Sequence, residues 1–176
     1  MPDLLKMIYA AGAGLAYYEG FRAYQSEEGL VMVASAMACA LCLILFVRRI
    51  SSARYLRMSL KKIDKLSGTS FEKYLMVQFR RMGYRVSMTS ESHDYGADLI
   101  LRKHREKIVA QAKRYQKNVG LAAVQEAIGA IAYYEADRAM VVTNRYFTRS
   151  AKDLAQRNDV DLWGREEIIY NFRIQR

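Results

Sequence analysis

Asp98-Leu99-Ile100-Leu101-Arg102 and Ile108-Val109-Ala110-Gln111-Ala112-Lys113, separated by a short charged loop, decide how this chain folds. Leu99 and Leu101 alternate with Asp98, Ile100 and Arg102, and Ile108, Ala110 and Ala112 alternate with Val109, Gln111 and Lys113. A period of two is that of half-buried strands. A tight return over Lys103 to Glu106 sets Arg102 opposite Lys107 and, counting back, Asp98 opposite Gln111 on one face. Lys113 projects from that face one step further on. The arrangement depends on register, because a slip of one residue sends Asp98 to the other side of the sheet.

Outward from this hairpin the pattern alternates. Phe71, Tyr74, Leu75, Phe79 and Met82 share one side of a helix whose other side carries Lys73, Arg80 and Arg81, and Gly83 ends it. Tyr84 to Thr89 is a strand, followed by a loop over Glu91 to Gly96. After the hairpin come a helix over Leu121 to Ala136, a strand over Ala139 to Thr143 buried on both faces, and a helix over Arg149 to Arg157 capped by Thr148. A short strand over Val160 to Trp163 and a helix over Arg165 to Phe172 complete the order. The expectation is an α/β domain around one mixed sheet flanked by helices, spanning 67–176, with Ser67-Gly68-Thr69-Ser70 as its boundary.

The first part of the chain is of another kind. Residues 1–50 carry four basic and four acidic side chains, so the net charge of +10 belongs to residues 51–176. Gly29 to Val47 is a run of nineteen uncharged residues, close to the roughly 20 that a helix needs to cross the hydrocarbon core. An earlier apolar run, Leu4 to Tyr18, contains Lys6 and extends toward Phe21. Residues 1–50 therefore read as a membrane anchor, a transmembrane hairpin of helices near 4–21 and 29–47 in preference to a single span over 29–47 with the first run lying flat in the interface. Arg48, Arg49, Arg54, Arg57, Lys61, Lys62 and Lys65 then face a single Asp64, and this basic segment, 51–66, suits anionic lipid headgroups. The positive-inside rule puts that flank, and the domain after it, on the cytoplasmic side of a prokaryotic cell membrane. Cys39 and Cys42 lie in the apolar run as small apolar residues, and the soluble part has no cysteine, which excludes disulfide stapling.

Asp98 starts an apolar strand beside Gly96 and Ala97, where a carboxylate is costly unless it meets a cation. Two partners fit: Lys113 as a salt bridge, or a metal ion. Gln111 and Lys113 on the same face favour the ion. Magnesium takes oxygen ligands and keeps several waters, so Asp98, the Gln111 amide oxygen and a strand carbonyl such as that of Ala112 make a shell open to phosphate. Lys113 there can orient or help deprotonate the attacking water and stabilise charge on the phosphate. Glu72 has two readings: a further acid at the edge of the buried stripe, or the second half of a Thr69-x-x-Glu72 capping box. His93 and His104 lie in charged loops without a second ligand nearby. Arg102, Lys103, Arg105, Lys107, Arg114, Lys117, Arg145 and Arg149 are candidate phosphate contacts, and the positive excess favours a polyanionic partner.

Gly68-x-x-Phe71-Glu72, Met82-Gly83-Tyr84, Asp94-x-Gly96-x-Asp98-Leu99, Gln111-Ala112-Lys113-Arg114-Tyr115, Val124-Gln125-Glu126, Val142-Thr143-Asn144 with Phe147-Thr148, and Arg165-Glu166-Glu167 succeed one another in order. Together they resemble the Mrr-like catalytic domain of the PD-(D/E)XK nuclease superfamily, found in type IV restriction endonucleases. The resemblance implies a restriction-endonuclease-like fold and a Mg2+-dependent endonuclease, with Mn2+ as a substitute, cutting DNA. Carried over by position, Asp98 is the metal-binding acid, Gln111 stands for the second acid, Lys113 is the catalytic lysine, Glu72 the helix acid, and Gln125 a frequent polar position on the following helix. His93-Asp94-Tyr95-Gly96-Ala97 is bulkier than the family's glycine-rich loop. Membrane helices stand where a winged-helix recognition domain is usual. The full expectation is a membrane-anchored DNA endonuclease with DNA and membrane lipids as partners and a homodimer as a candidate assembly. The alternatives are a catalytically inactive nucleic-acid-binding module tethered to the membrane and a lipid-binding scaffold.

Overall fold

The structure is a computed structural model that describes residues 18, 20, 27–89 and 95–174. The chain divides into two compact units, Met1–Ser51 and Ser52–Arg176. The second unit includes residues 52–66 of the basic segment.

Helix α1 covers Glu27–Leu56. Its Gly29–Val47 stretch, with mean hydropathy 2.8 and no buried side chains, is long and apolar enough by length and composition to cross a membrane. The first helix of the expected hairpin falls outside the described residues, and so does His93.

In the second unit, a short turn of helix α2, Leu60–Ile63, leads into α3, Gly68–Arg81. The cap of α3 is Ser67, whose hydroxyl accepts from the Ser70 amide at 3.2 Å. The helix therefore begins one residue ahead of Thr69, and Glu72 lies in its interior. This corrects the capping-box reading of Thr69 and Glu72, because serine in the stronger N-cap position starts the helix earlier.

Strands β1 (Arg85–Met88), β2 (Leu99–Lys103), β3 (Glu106–Lys113), β4 (Arg138–Thr143) and β5 (Val160–Trp163) form one sheet in that order. The β1–β2 and β2–β3 pairs are antiparallel, and β3–β4 and β4–β5 are parallel. The parallel pairs are bridged by α4, Leu121–Tyr133, and α5, Arg149–Arg157, and α6, Arg165–Phe172, comes after β5. Arg102 pairs with Lys107 as the sequence reading has it. The return is tighter than expected, since Lys103 and Glu106 also pair and leave only His104-Arg105, with His104 at φ 54°.

Alternation along the strands builds two cores. Leu99, Leu101, Ile108, Ala110, Met140 and Val142 pack with Ile63, Phe71, Tyr74, Leu75 and Phe79, and with Ile168 and Phe172 of α6. Val109, Val141, Ala139 and Val160 pack on the other face with the small residues Ala123, Ala127 and Ala130 of α4 and Ala151 and Ala155 of α5. The result is a helix–sheet–helix sandwich in which Ile63, fully buried, belongs to the core.

Candidate active site

Asp98 lies one residue ahead of β2. Its amide donates to the Ala110 carbonyl at 3.0 Å, and its Oδ2 accepts the Ala112 amide at 2.7 Å. The ladder through Leu99–Ala110, continued by one step, brings Asp98 opposite Gln111. The loop before it is held by Gly96, at φ 87°, where an added Cβ would lie 2.2 Å from the Glu126 carbonyl oxygen. Only glycine allows the chain to pass so close to α4 and still deliver Asp98 to the strand.

Gln111 shares the α4 side of the sheet with Val109. It is 3% exposed, and its Oε1 has no hydrogen-bond partner among the described residues. Lys113 comes next on the same side, and its Nζ meets Glu126 Oε2 at 2.7 Å. Burial of the ammonium acts to lower its pKa. The hydrogen bond and charge of Glu126 outweigh that, with Tyr115 and Asp98 adding to the field, and hold the pKa above its ordinary value. Lys113 therefore keeps its proton, which suits it to stabilise negative charge and not to act as a base.

The structure thus brings together Asp98, Gln111, Lys113 and the main chain of Ala112. Glu72 rides on α3, which packs against the other face of the sheet through Phe71, Tyr74 and Leu75. Glu126 was not singled out by the sequence reading, which chose its neighbour Gln125; Gln125 is exposed, and Glu126 is the residue that meets Lys113. A lysine pointing from a strand into a helix-covered face demands a counter-charge on that helix, and this is the signal that could have found it.

The donor set can be tested for a metal. Among the described residues no group of three His, Cys, Asp or Glu side chains could hold an ion. What the site offers is the Asp98 carboxylate, one main-chain stretch and one buried amide oxygen lacking a donor among the described residues, with the Glu126 carboxylate engaged by Lys113. A buried acceptor of that kind is completed by a hard cation that retains several waters, so the residues fit.

Several basic candidates are occupied within the protein. Lys103 Nζ donates to the Met82 carbonyl at 3.0 Å and sits 4.9 Å from the centre of the Tyr84 ring. Lys107 donates to the Tyr134 carbonyl, Arg114 to that of Leu66, and Arg145 to that of Tyr115. Arg102, Arg105, Lys117 and Arg149 remain exposed.

Residues 63–171 match the model of the Mrr_cat family of restriction endonucleases. The chain belongs to that family. Over 105 residues it is 31% identical to the type IV methyl-directed restriction enzyme EcoKMrr of Escherichia coli (strain K12), covering 55% of this chain and 34% of the relative. Among solved structures, the DNA modification-dependent restriction endonuclease AspBHI matches with a TM-score of 0.52 at 21% identity, over 70% of this chain and 35% of that one. The MspJI restriction endonuclease, solved in complex with a 27-mer oligonucleotide, matches with a TM-score of 0.48 at 18% identity, over 69% and 31% of the two chains. The likeness to AspBHI is one of fold. The chain spans about a third of the length of these relatives. The Mrr_cat match begins at residue 63, in agreement with the burial of Ile63.

Proposed function

We propose that this protein is a membrane-anchored, divalent-metal-dependent endonuclease that hydrolyses DNA on the cytoplasmic side of a prokaryotic membrane. The single observation that carries the reading is Gln111 Oε1, unpartnered among the described residues and buried on the same face as Asp98 and Lys113. Membership of the Mrr_cat family supports restriction-type chemistry, and the net charge of +10 suits a polyanion.

Asp98 and Gln111, with a carbonyl of the Ala112 stretch, would hold the ion. Bound there, a divalent cation would lower the pKa of the attacking water and offset the charge of the phosphate. The Ala112 amide fixes one oxygen of Asp98 in place. The Lys113 ammonium faces the scissile phosphate and neutralises charge as the new P–O bond forms and the leaving oxygen departs. Glu126 holds that ammonium in place and protonated. Mg2+ is the ion that the oxygen donor set favours, and Mn2+ shares its geometry.

The anchor rests on the Gly29–Val47 stretch, and its orientation on the basic residues just after it. A second reading, a DNA-binding module without catalysis, is favoured by the lack, among the described residues, of any group of three His, Cys, Asp or Glu side chains able to hold an ion. Full-length protein in detergent, incubated with plasmid and Mg2+, separates the two. Cutting that is lost in Asp98→Ala and Lys113→Ala supports the enzyme, whereas salt-sensitive binding without cutting supports the module.

A further inference from the structure

Beyond the last backbone pair of β3 and β4, Lys113 with Thr143, the two strands stay joined by a side chain. The Tyr115 amide donates to Asn144 Oδ1 at 3.0 Å, and Asn144 is 1% exposed. The other half of that amide, Nδ2, donates to Asp64 Oδ1 at 2.9 Å. Arg165 closes the cluster: Nη1 donates to Asp64 Oδ1 and to the Asn144 carbonyl, both at 2.9 Å, and Nη2 donates to Asp64 Oδ2 at 3.0 Å. A second tie runs alongside, from Arg114 Nε to the Leu66 carbonyl.

The chemistry gives these contacts a direction. A carboxylate only accepts, so Asp64 can face only the NH2 end of the Asn144 amide, and the oxygen end is thereby turned to Tyr115. Arg165, in a bidentate fork on the same carboxylate, fixes Asp64 in turn. Asp64 lies in the basic stretch after the apolar helix, and it acts on Tyr115, two residues from Lys113.

We propose that Asp64 is a positioning residue for the catalytic strand: through Asn144 and Arg165 it fixes the end of β3 that carries Lys113, so that the segment leaving the apolar helix is part of the catalytic apparatus. The inference rests on the nuclease reading above. Displacement of a catalytic group by about 1 Å costs up to roughly a hundredfold in rate. Lys113 lies one peptide unit beyond the contact, so a smaller loss, of about tenfold, is the expectation.

The experiment uses the full-length protein in detergent with Mg2+ and plasmid, well below each variant's melting temperature, and measures kcat, KM and DNA affinity separately. Asp64→Ala and Asn144→Ala are each expected to lower kcat about tenfold with DNA affinity unchanged, and the double variant to lose no more than Asn144→Ala alone, since both act through one contact. Asp64→Asn, which keeps the shape but loses the charge, is expected to retain part of the rate. Val160→Ala, a core truncation in β5, is expected to lower stability and leave kcat intact. Full kcat in folded Asp64→Asn and Asn144→Ala, or a loss confined to KM, would overturn the proposal while leaving the nuclease reading standing. Absence of cutting by the unaltered protein would overturn both.

Discussion

Replacing Gln111 by leucine should make the metal-free protein more stable and the enzyme dead. Gln111 is 3% exposed and its Oε1 lacks a donor among the described residues. A buried acceptor left unsatisfied costs about 1–3 kcal/mol. Leucine fills a similar volume without the polar cost, so the net gain is about 1 kcal/mol, or about 3–6 °C in melting temperature for a unit of this size. With Mg2+ at tenfold its dissociation constant, the unaltered protein gains about 1.4 kcal/mol by linkage, and Gln111→Leu gains little. The two melting curves should therefore exchange order: the variant melts higher in chelator, the unaltered protein in excess Mg2+. Trp163, the only tryptophan, lies with its ring centre 5.4 Å from that of Phe79 and 5.8 Å from that of Phe172, and its fluorescence reports the unfolding. A variant that melts lower in chelator and still shifts fully with Mg2+ would refute the assignment of this oxygen to a cation.

The same geometry has other consequences. In Glu126→Gln the carboxylate that outweighs burial is gone, so the Lys113 pKa falls and the ammonium is lost at lower pH; the alkaline limb of the cleavage profile should move to lower pH. Gly96→Ala combines a positive φ of 87° with a Cβ 2.2 Å from the Glu126 carbonyl oxygen, and should cost about 2–4 kcal/mol in thermal unfolding along with most of the activity. Burial alone would raise the Asp64 pKa, but the hydrogen bonds of Arg165 and Asn144 outweigh it and hold the carboxyl below its ordinary range. A depressed folded-state pKa stabilises the protein above the unfolded value, about 3.9, and that stability is lost as pH falls through the folded value. Asp64→Asn should accordingly lower stability at neutral pH and show a shallower fall below about pH 4 in acid titration.

What was legible in the sequence was local. The period of two in Leu99, Leu101, Ile108 and Ala110, together with the need to bury those side chains, left one register that works, and the observed pairing of Arg102 with Lys107 is that register. Thr148 as a cap and the short strand Val160–Trp163 were readable for the same reason. Two competing caps within three residues, Ser67 and Thr69, were not resolvable from spacing, and the earlier one holds the helix. Glu126 needed the third dimension, since which of two adjacent polar residues faces a strand depends on how α4 is rotated. The Asp64–Asn144–Arg165 cluster joins positions 80 and 101 residues apart, a separation at which no periodicity carries information.

The central claim is that Asp98, Gln111 and Lys113 form one metal-dependent hydrolytic site. The most direct measurement is the cleavage of supercoiled plasmid by full-length protein in excess Mg2+ and in chelator, beside folded Asp98→Asn. The account predicts nicked or linear product only from the unaltered protein with Mg2+. Equal cutting by Asp98→Asn, or cutting undiminished by chelator, would contradict it.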